Sequence, residues 1–519
     1  MARQIRTRWK ISGTLTAETP IHVGGIGGNA DTDLALAVNG QGEYYIPGTS
    51  LAGAFRGWLT TWLQTEEHGK HQESIKDLWG AHDSEDRGAS FIIIDDAVVH
   101  LAGIAIEIRE GVGINRETGA AADQGKYNRA ILPKGVSLPL NITLEIGDPK
   151  KQRPDHLWNL LCALEAGDIR LGAAKTRGLG KVKLKIASIH EQKWDAQNIF
   201  EVLLQGGQVH SWDELKPQYR PAKSLTLNIA WKPRDPVMVK AEGDGMAVDI
   251  LPLVSQVDSA LRFVIPGSSI KGVLRAHAER IVRTVLNSTT PNEFLRQVDL
   301  TLVNEIFGGA EKNSSPSAKS TSQGWMGVLS VDDCYASLAM EPDHWSQVEN
   351  APKGQGDDFT PVKQALITAL GGTDQPFKVL QPAMHVAIDR WTGGAADSML
   401  YSVLEPIGVD WETIGIHLDL HRLEMHKTDY LYPTIALLFL VLRDFANRKI
   451  PIGYGTNRGM GTVEVREIGM QCSPIDGLET LETFKILAPD LSNLSEGLLN
   501  VLTKAWIEWI NNNQQQEAA

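Results

Sequence analysis

Leu138, Leu140, Ile142, Leu144 and Ile146 alternate with polar or small positions, the period of a half-buried strand. The same beat returns at Ile414, Ile416, Leu418 and Leu420. Looser alternation over 5–21, 91–94, 181–186 and 225–230 predicts further strands. Apolar positions recur at helical spacing over 51–63, 156–166 and 430–446. Near the C-terminus Leu494, Leu498, Leu502 and Trp506 form one stripe, predicting a docked helix over 491–510. Each half interleaves these elements as strand–helix–strand, twice over. That is the order of an α+β fold of ferredoxin-like or RRM-like type. The stretches 194–209 and 212–223 read as linker or packing material.

The two halves also share spelling. Asn115-Arg116-x-Thr118-Gly119 returns as Asp389-Arg390-x-Thr392-Gly393. Ile46-Pro47-Gly48-Thr49-Ser50 returns as Ile265-Pro266-Gly267-Ser268-Ser269, and Gly53 and Arg56 return as Gly272 and Arg275. The glycine-rich 172–180 returns as 453–461. Several matches in one order imply an internal duplication. The copies stand closer together at the Pro-Gly motif than at the two motifs that follow it. That drift locates extra sequence in the second copy, at about 310–323 and 341–377. Both stretches are polar and read as surface loop insertions. The domains are therefore expected at 1–220 and 221–519, the second ending in the C-terminal helix.

Composition narrows the setting. With 519 residues and 42% hydrophobic content the chain can build several cores. A formal net charge of -13 argues against a simple basic nucleic-acid binder but leaves room for local basic grooves. Cysteines stand singly at 162, 334 and 472, so neither a disulfide scaffold nor a cysteine-based zinc site is expected. No apolar run is long enough to span a bilayer, and a cytoplasmic, membrane-free setting is the expectation.

Candidate chemistry is polar and repeated. Residues 107–134 are rich in glycine and carry Arg109, Arg116, Lys126, Arg129 and Lys134 among few aliphatics, as an exposed hairpin would. The glycine loops carry Lys175 and Arg177 in one copy and Arg458 in the other, and backbone N–H groups with a cation suit phosphate. Their order fits neither a Walker nor a nicotinamide motif. The Pro-Gly-Ser/Thr-Ser helix start exposes N–H groups, with Thr49 or Ser50 as cap. Arg56 and Arg275 on that helix could meet phosphate or a carboxylate. Asp31 and Asp33 edge the flexible loop after His22, and Asp249 aligns with Asp33, with Asp244 and Asp258 as competitors. A carboxylate there could hold a divalent ion or sit idle in solvent. His22 has no counterpart in the second copy. His417, Asp419 and His421, with His426 nearby, could be a metal cluster, but the first copy has Asn141, Thr143 and Glu145 there and an exposed strand face is favoured.

In this order, twice, these motifs resemble the RAMP superfamily of CRISPR-associated proteins, and most nearly two backbone subunits of a type III effector fused in one chain, as in type III-D variant complexes. The likeness covers most of 5–190 and 225–470. It implies two tandem RAMP domains that bind CRISPR RNA, with thumb hairpins at about 107–135 and 383–405 wedging into the guide–target duplex. It implies cleavage of complementary target RNA by a loop aspartate in each domain, Asp33 and Asp249, using Mg²⁺ or Mn²⁺ and no organic cofactor. It implies RNA contacts in the first copy at Gly48, Ser50, Arg56, Arg109, Arg116, Thr118, Lys175, Thr176, Arg177 and Gly178. In the second they fall at Ser268, Ser269, Lys271, Arg275, Arg390, Thr392, Thr456, Asn457, Arg458 and Gly459. Its partners would be CRISPR RNA, target RNA and other type III subunits. Two rival readings share the architecture: a non-cleaving structural subunit, and a CRISPR-RNA-processing endonuclease using a side chain such as His22. Pro252 and the sparser glycines before Asp249 set the second loop apart from the first.

Overall fold

The structure is a computed structural model. It describes residues 4–25, 32–66, 71–80, 88–101, 103–309, 324–354, 358–473, 483–486, 491–492 and 494–517. The chain divides into two compact units. The first comprises 1–109, 128–175 and 179–222; the second comprises 110–127, 176–178 and 223–519. No described helix is long and apolar enough to cross a membrane.

The first unit is built on β1 (Thr7–Ala17), which lies centrally in a five-stranded antiparallel sheet. Its other strands are β2 (Ile92–Ile94), β5 (Ser137–Ile146), β6 (Val182–Lys193) and β7 (Gln208–His210), in the spatial order β2-β5-β1-β6-β7. Between β2 and β5 the chain leaves the sheet as a two-stranded hairpin, β3 (Glu107–Ile114) and β4 (Ala121–Ile131). The alternation predicted for β5 is real, since Leu138, Leu140, Ile142, Leu144 and Ile146 are all buried. Register pairs Leu144 with Trp9 and Ile142 with Ile11, so one face of the sheet is continuous apolar surface. Helix α1 (Gly48–Glu66) covers it with Leu51, Phe55, Leu59 and Leu63, all essentially inaccessible and each one turn after the last. Helix α2 (Pro154–Ala166) adds Trp158, whose ring meets Trp9 edge-on at 5.1 Å.

The second unit repeats this plan with β8 (Ser224–Pro233) at the centre. Its sheet runs β9 (Leu329–Val331), β12 (Ile414–Asp419), β8, β13 (Val463–Cys472), β14 (Thr483–Ile486). The hairpin is β10 (Leu380–Ile388) and β11 (Ala395–Pro406). Helix α3 (Gly267–Leu286) takes the role of α1, and α6 (Leu431–Ala446) that of α2. Between them lie α4 (Pro342–Glu349) and α5 (Thr360–Ala369).

Those two helices correct one expectation. The stretch 341–377 is not a surface loop: Trp345, Val348, Val362 and Leu366 are buried, and Trp345 meets Phe263 edge-on at 5.4 Å. Their apolar positions are few and set among acids and prolines, so composition hid an added layer of core. The stretch 310–323 lies outside the described residues. The C-terminal helix α7 (Glu496–Glu517) docks through Leu498, Leu502 and Trp509, with Leu494 just ahead of it; Trp506 is only partly covered. A period of 3.6 drifts over four turns, which moves the contact from 506 to 509. Of the two readings for 194–209 and 212–223, packing material fits: the stretch holds strand β7 and two short helices, and Trp212, Leu215 and Tyr219 pack against the core.

Candidate nucleic-acid interface

The two candidate aspartates occupy equivalent places. Asp33 Oδ2 accepts the backbone N–H of Asn128 on β4 at 2.9 Å, and Asn128 Oδ1 accepts the N–H of Asp33 at 2.7 Å. The next residue, Leu34, bridges in parallel to Arg129. In the second copy Asp249 Oδ2 accepts the N–H of Ser402 on β11 at 2.7 Å and its hydroxyl at 2.9 Å. Ile250 bridges in parallel to Val403. Asn128 follows the motif glycine Gly119 by the same interval as Ser402 follows Gly393, so the two anchors are equivalent positions. Each loop aspartate is therefore stitched to the base of its own hairpin. Pro252 does not break the equivalence, because Lys240 pairs with Pro252 as Gly24 pairs with Leu36. In both copies no described residue donates to the other carboxylate oxygen, Oδ1. Asp33 is exposed and Asp249 half-buried.

The hairpin motif is mostly turn chemistry. Asn115 Oδ1 accepts the N–H groups of Glu117 and Thr118, and Asp389 Oδ1 accepts that of Trp391. The hydroxyls of Thr118 and Thr392 accept the N–H groups of Ala120 and Gly394, each at 3.3 Å. Gly119 and Gly393 have φ of +68° and +70°, where a side chain is strained. The shared spelling thus closes the turn, and the arginine between is left to differ. Arg390 is exposed, beside Trp391 at 95% exposure. Arg116 is not free. Its Nε donates to Glu279 at 2.5 Å, its backbone N–H donates to Gln297 at 2.8 Å, and Gln297 Nε2 donates to Asn115 at 3.2 Å.

Each glycine loop closes against the extended segment that follows the central strand and precedes its aspartate. A side chain at Gly172 would run into the His22 carbonyl, and one at Gly453 into the Met238 carbonyl. The loop arginines repeat a contact: Arg177 Nη1 donates to the Tyr127 hydroxyl at 2.9 Å, and Arg458 Nη1 to the Tyr401 hydroxyl at 2.5 Å. In the first unit Lys175 lines a cleft of about 330 Å³ with Gly24, Ser50, Gly53 and Gly172. No described residue pairs with the Lys175 ammonium, and burial lowers its pKa. Thr456, Asn457, Arg458 and Gly459 are exposed.

The helix starts do not offer an open anion site. Gly48 N–H donates to Asp96 at 2.7 Å, and Gly267 N–H donates to Asp333 at 2.8 Å. Aspartates distant in sequence cap both helices, in place of Thr49 or Ser50, and put negative charge where phosphate was expected. The Arg56 guanidinium has no described partner, whereas Arg275 gives hydrogen bonds to Glu279 and Asn304 and to the carbonyls of Gly308 and Val298. Lys271 is buried with Nζ on the Leu329 carbonyl at 2.6 Å. Burial pushes its pKa down to about 7, with Arg177 and Arg275 adding to the shift. Arg109 is paired with Glu107. Ser268 is exposed and Gly178 buried.

Of the remaining candidates, Asp31 lies outside the described residues. Asp244 pairs with Lys240 on the surface, and Asp258 occupies the left-handed turn between short strands. Neither touches a hairpin base. His22 is 3% exposed, with Nδ1 2.7 Å from the Ala130 carbonyl. Burial lowers its pKa and the nearby Arg129 adds to this, against the backbone hydrogen bond. His417 contacts the Thr226 hydroxyl, while His421 sits on the following helix rather than on the strand. Among the described residues no group of three or more metal-ligating side chains converges. Sequence reading missed Tyr127, Tyr401, Asn128 and Ser402. Extending the alignment of the hairpin motifs along the second strand would have paired the two tyrosines.

A family profile of the RAMP superfamily matches residues 14–183 and 253–464, together more than half of the chain. No curated protein matches the chain.

Proposed function

The chain belongs to the RAMP superfamily, and from that premise we propose that it is a CRISPR-RNA-binding backbone subunit of a type III effector complex. In this reading domains 1–220 and 221–519 are tandem ferredoxin-like RAMP domains. The glycine loops follow the guide backbone, with Lys175, Arg177 and Arg458 as cations. The hairpins are thumbs that part the guide–target duplex. Asp33 and Asp249 then stand beside the exposed target strand and cut it, one site per domain. The observation that carries this is the doubled stitch of a loop aspartate to a hairpin base. It persists although the neighbouring side chains differ between the copies.

Mg²⁺ or Mn²⁺ fits the donor set. Each carboxylate keeps Oδ1 without a described partner, and Mg²⁺ is commonly held by one or two carboxylates together with substrate phosphate oxygens. When bound, the ion supplies charge stabilisation at the phosphoryl group. The protein's part is to hold the carboxylate still through its other oxygen and to keep the RNA strand in reach. An acidic subunit can do this inside an assembly whose subunits share the backbone contacts.

The stitch dictates the test. Asp→Asn keeps a carbonyl oxygen for the hairpin N–H and removes the negative charge, whereas Asp→Ala removes both. Guide-loaded complex, guide-complementary RNA and Mg²⁺ or Mn²⁺ are the assay. Asp33→Asn and Asp249→Asn should each delete one discrete cut from the product ladder while assembly is retained. An unchanged ladder for both would leave the non-cleaving structural reading, in which the aspartates serve only as hairpin anchors.

A further inference from the structure

The second copy holds an element that the cleavage reading does not use. Tyr401 precedes the aspartate's anchor, Ser402, on β11. Its hydroxyl accepts from Arg458 of the glycine loop at 2.5 Å. Arg458 lies 6.0 Å over the Tyr401 ring. The Arg458 bond uses the Tyr401 oxygen as acceptor and does not consume its O–H proton, which can donate. The ring is held on one side by His385, stacked at 5.3 Å and an interplanar angle of 15°, and His385 itself is 3.2 Å from Glu405.

The first copy reaches the same pairing by another route. Tyr127 and Arg177 form the contact there. Gly111, however, precedes Arg116 by the interval at which His385 precedes Arg390, so a glycine stands in the histidine's place. A side chain at Gly111 would run into the Tyr127 ring. The supporting residue differs, glycine in one copy and histidine in the other, while the arginine–tyrosine contact persists. A contact that survives replacement of its support has a use beyond packing.

We propose that Arg458 and Tyr401 are a positioning pair: they tie the RNA-binding glycine loop to the strand that anchors Asp249, and the Tyr401 hydroxyl donates to a phosphate oxygen of the RNA. The inference rests on the cleavage reading above and deepens it. Loop and strand move as one, so seating RNA on the loop fixes the anchor of the carboxylate. A tyrosine O–H to an anionic phosphate oxygen is a charge-assisted bond, short and directional. Asp249 remains the group that acts on the scissile phosphate.

The test uses the guide-loaded complex and complementary RNA at saturating concentration, with each cut followed separately in single turnover. Tyr401→Phe removes the hydroxyl and keeps the ring on His385. Its Asp249-dependent cut should slow on the order of 10²-fold, the usual cost of a lost orienting contact. Target affinity and the Asp33-dependent cut should hold. Arg458→Lys should fall between the natural protein and Arg458→Ala. An unchanged rate for Tyr401→Phe, in a complex where Asp249→Asn abolishes the cut, overturns the pair's role and leaves the cleavage reading intact. A Tyr401→Phe loss confined to affinity overturns it equally. If Asp249→Asn leaves the ladder unchanged, the cleavage reading falls and the pair's role with it.

Discussion

Arg116 is where sequence and structure pull furthest apart, and a single substitution separates the two roles. Its guanidinium meets Glu279, whose side chain is 3% exposed and which also takes Arg275 at 2.7 Å. Gln297, fully buried, holds the neighbouring backbone, and Gly113 lies so close to Phe294 that a Cβ would meet the ring at 2.9 Å. Arg116→Ala removes one charge-assisted contact and leaves Glu279 its second arginine. The expected cost is about 1.5–3 kcal/mol, the range for hydrogen bonds to charged groups. Glu279→Ala takes the carboxylate from both arginines instead, at about 3–5 kcal/mol. The chain has two units, so a global melt would blur this. Amide exchange across 110–127 reads it directly. Protection there should fall about 10- to 100-fold in Arg116→Ala, since about 1.4 kcal/mol is a factor of ten. An RNA-contacting Arg116 predicts the reverse: unchanged exchange without RNA, weaker RNA binding and a shallower salt dependence. That outcome would refute the clamp.

Arg390→Ala, at the free tip, should leave exchange across 380–406 unchanged and reduce the salt slope of RNA binding by about one. Gly172→Ala should destabilise the first unit and weaken RNA binding without altering any charge, because its φ is +74° and the His22 carbonyl is in the way; Gly459→Ala, with φ +85° and open space around it, is the milder control, and urea titration compares them. Trp345→Ala should cost about 3–5 kcal/mol in the same titration, the range for emptying a buried aromatic site. Acid should weaken the second unit. Burial favours the protonated form of Asp444, but hydrogen bonds from His277, Lys449 and Arg443 win and hold its pKa at about 2. A depressed carboxylate stabilises above its ordinary 3.8, and that contribution is lost as pH falls through 2. His277 is lowered, chiefly by burial, so its part is lost as pH falls below 6.5. Asp444→Asn should flatten the low-pH limb of thermal melts followed from pH 5 to 2; an unaltered limb would place the acid sensitivity elsewhere.

The sequence by itself determined the duplication, the alternating strands and the amphipathic helices, because periodicity and repeated spelling are local properties of the chain. It also marked the hairpins and glycine loops, since turns need asparagine, threonine and glycine at fixed spacings whatever surrounds them. It placed Asp249 opposite Asp33 by alignment alone. Tertiary structure decided how the polar side chains are used. Arg116 and Arg390 are spelled alike, yet one meets a buried glutamate on a distant helix and the other meets solvent. Arg56 and Arg275 match, yet only Arg275 is bound up in described protein hydrogen bonds. The helix starts match, and aspartates distant in sequence cap both. The hydrophobic layer of 341–377 was invisible for a related reason, since a few apolar residues define a core only when other segments close over them. A charged side chain's role depends on which partners the fold brings within about 3 Å, and spacing along the chain does not encode those partners.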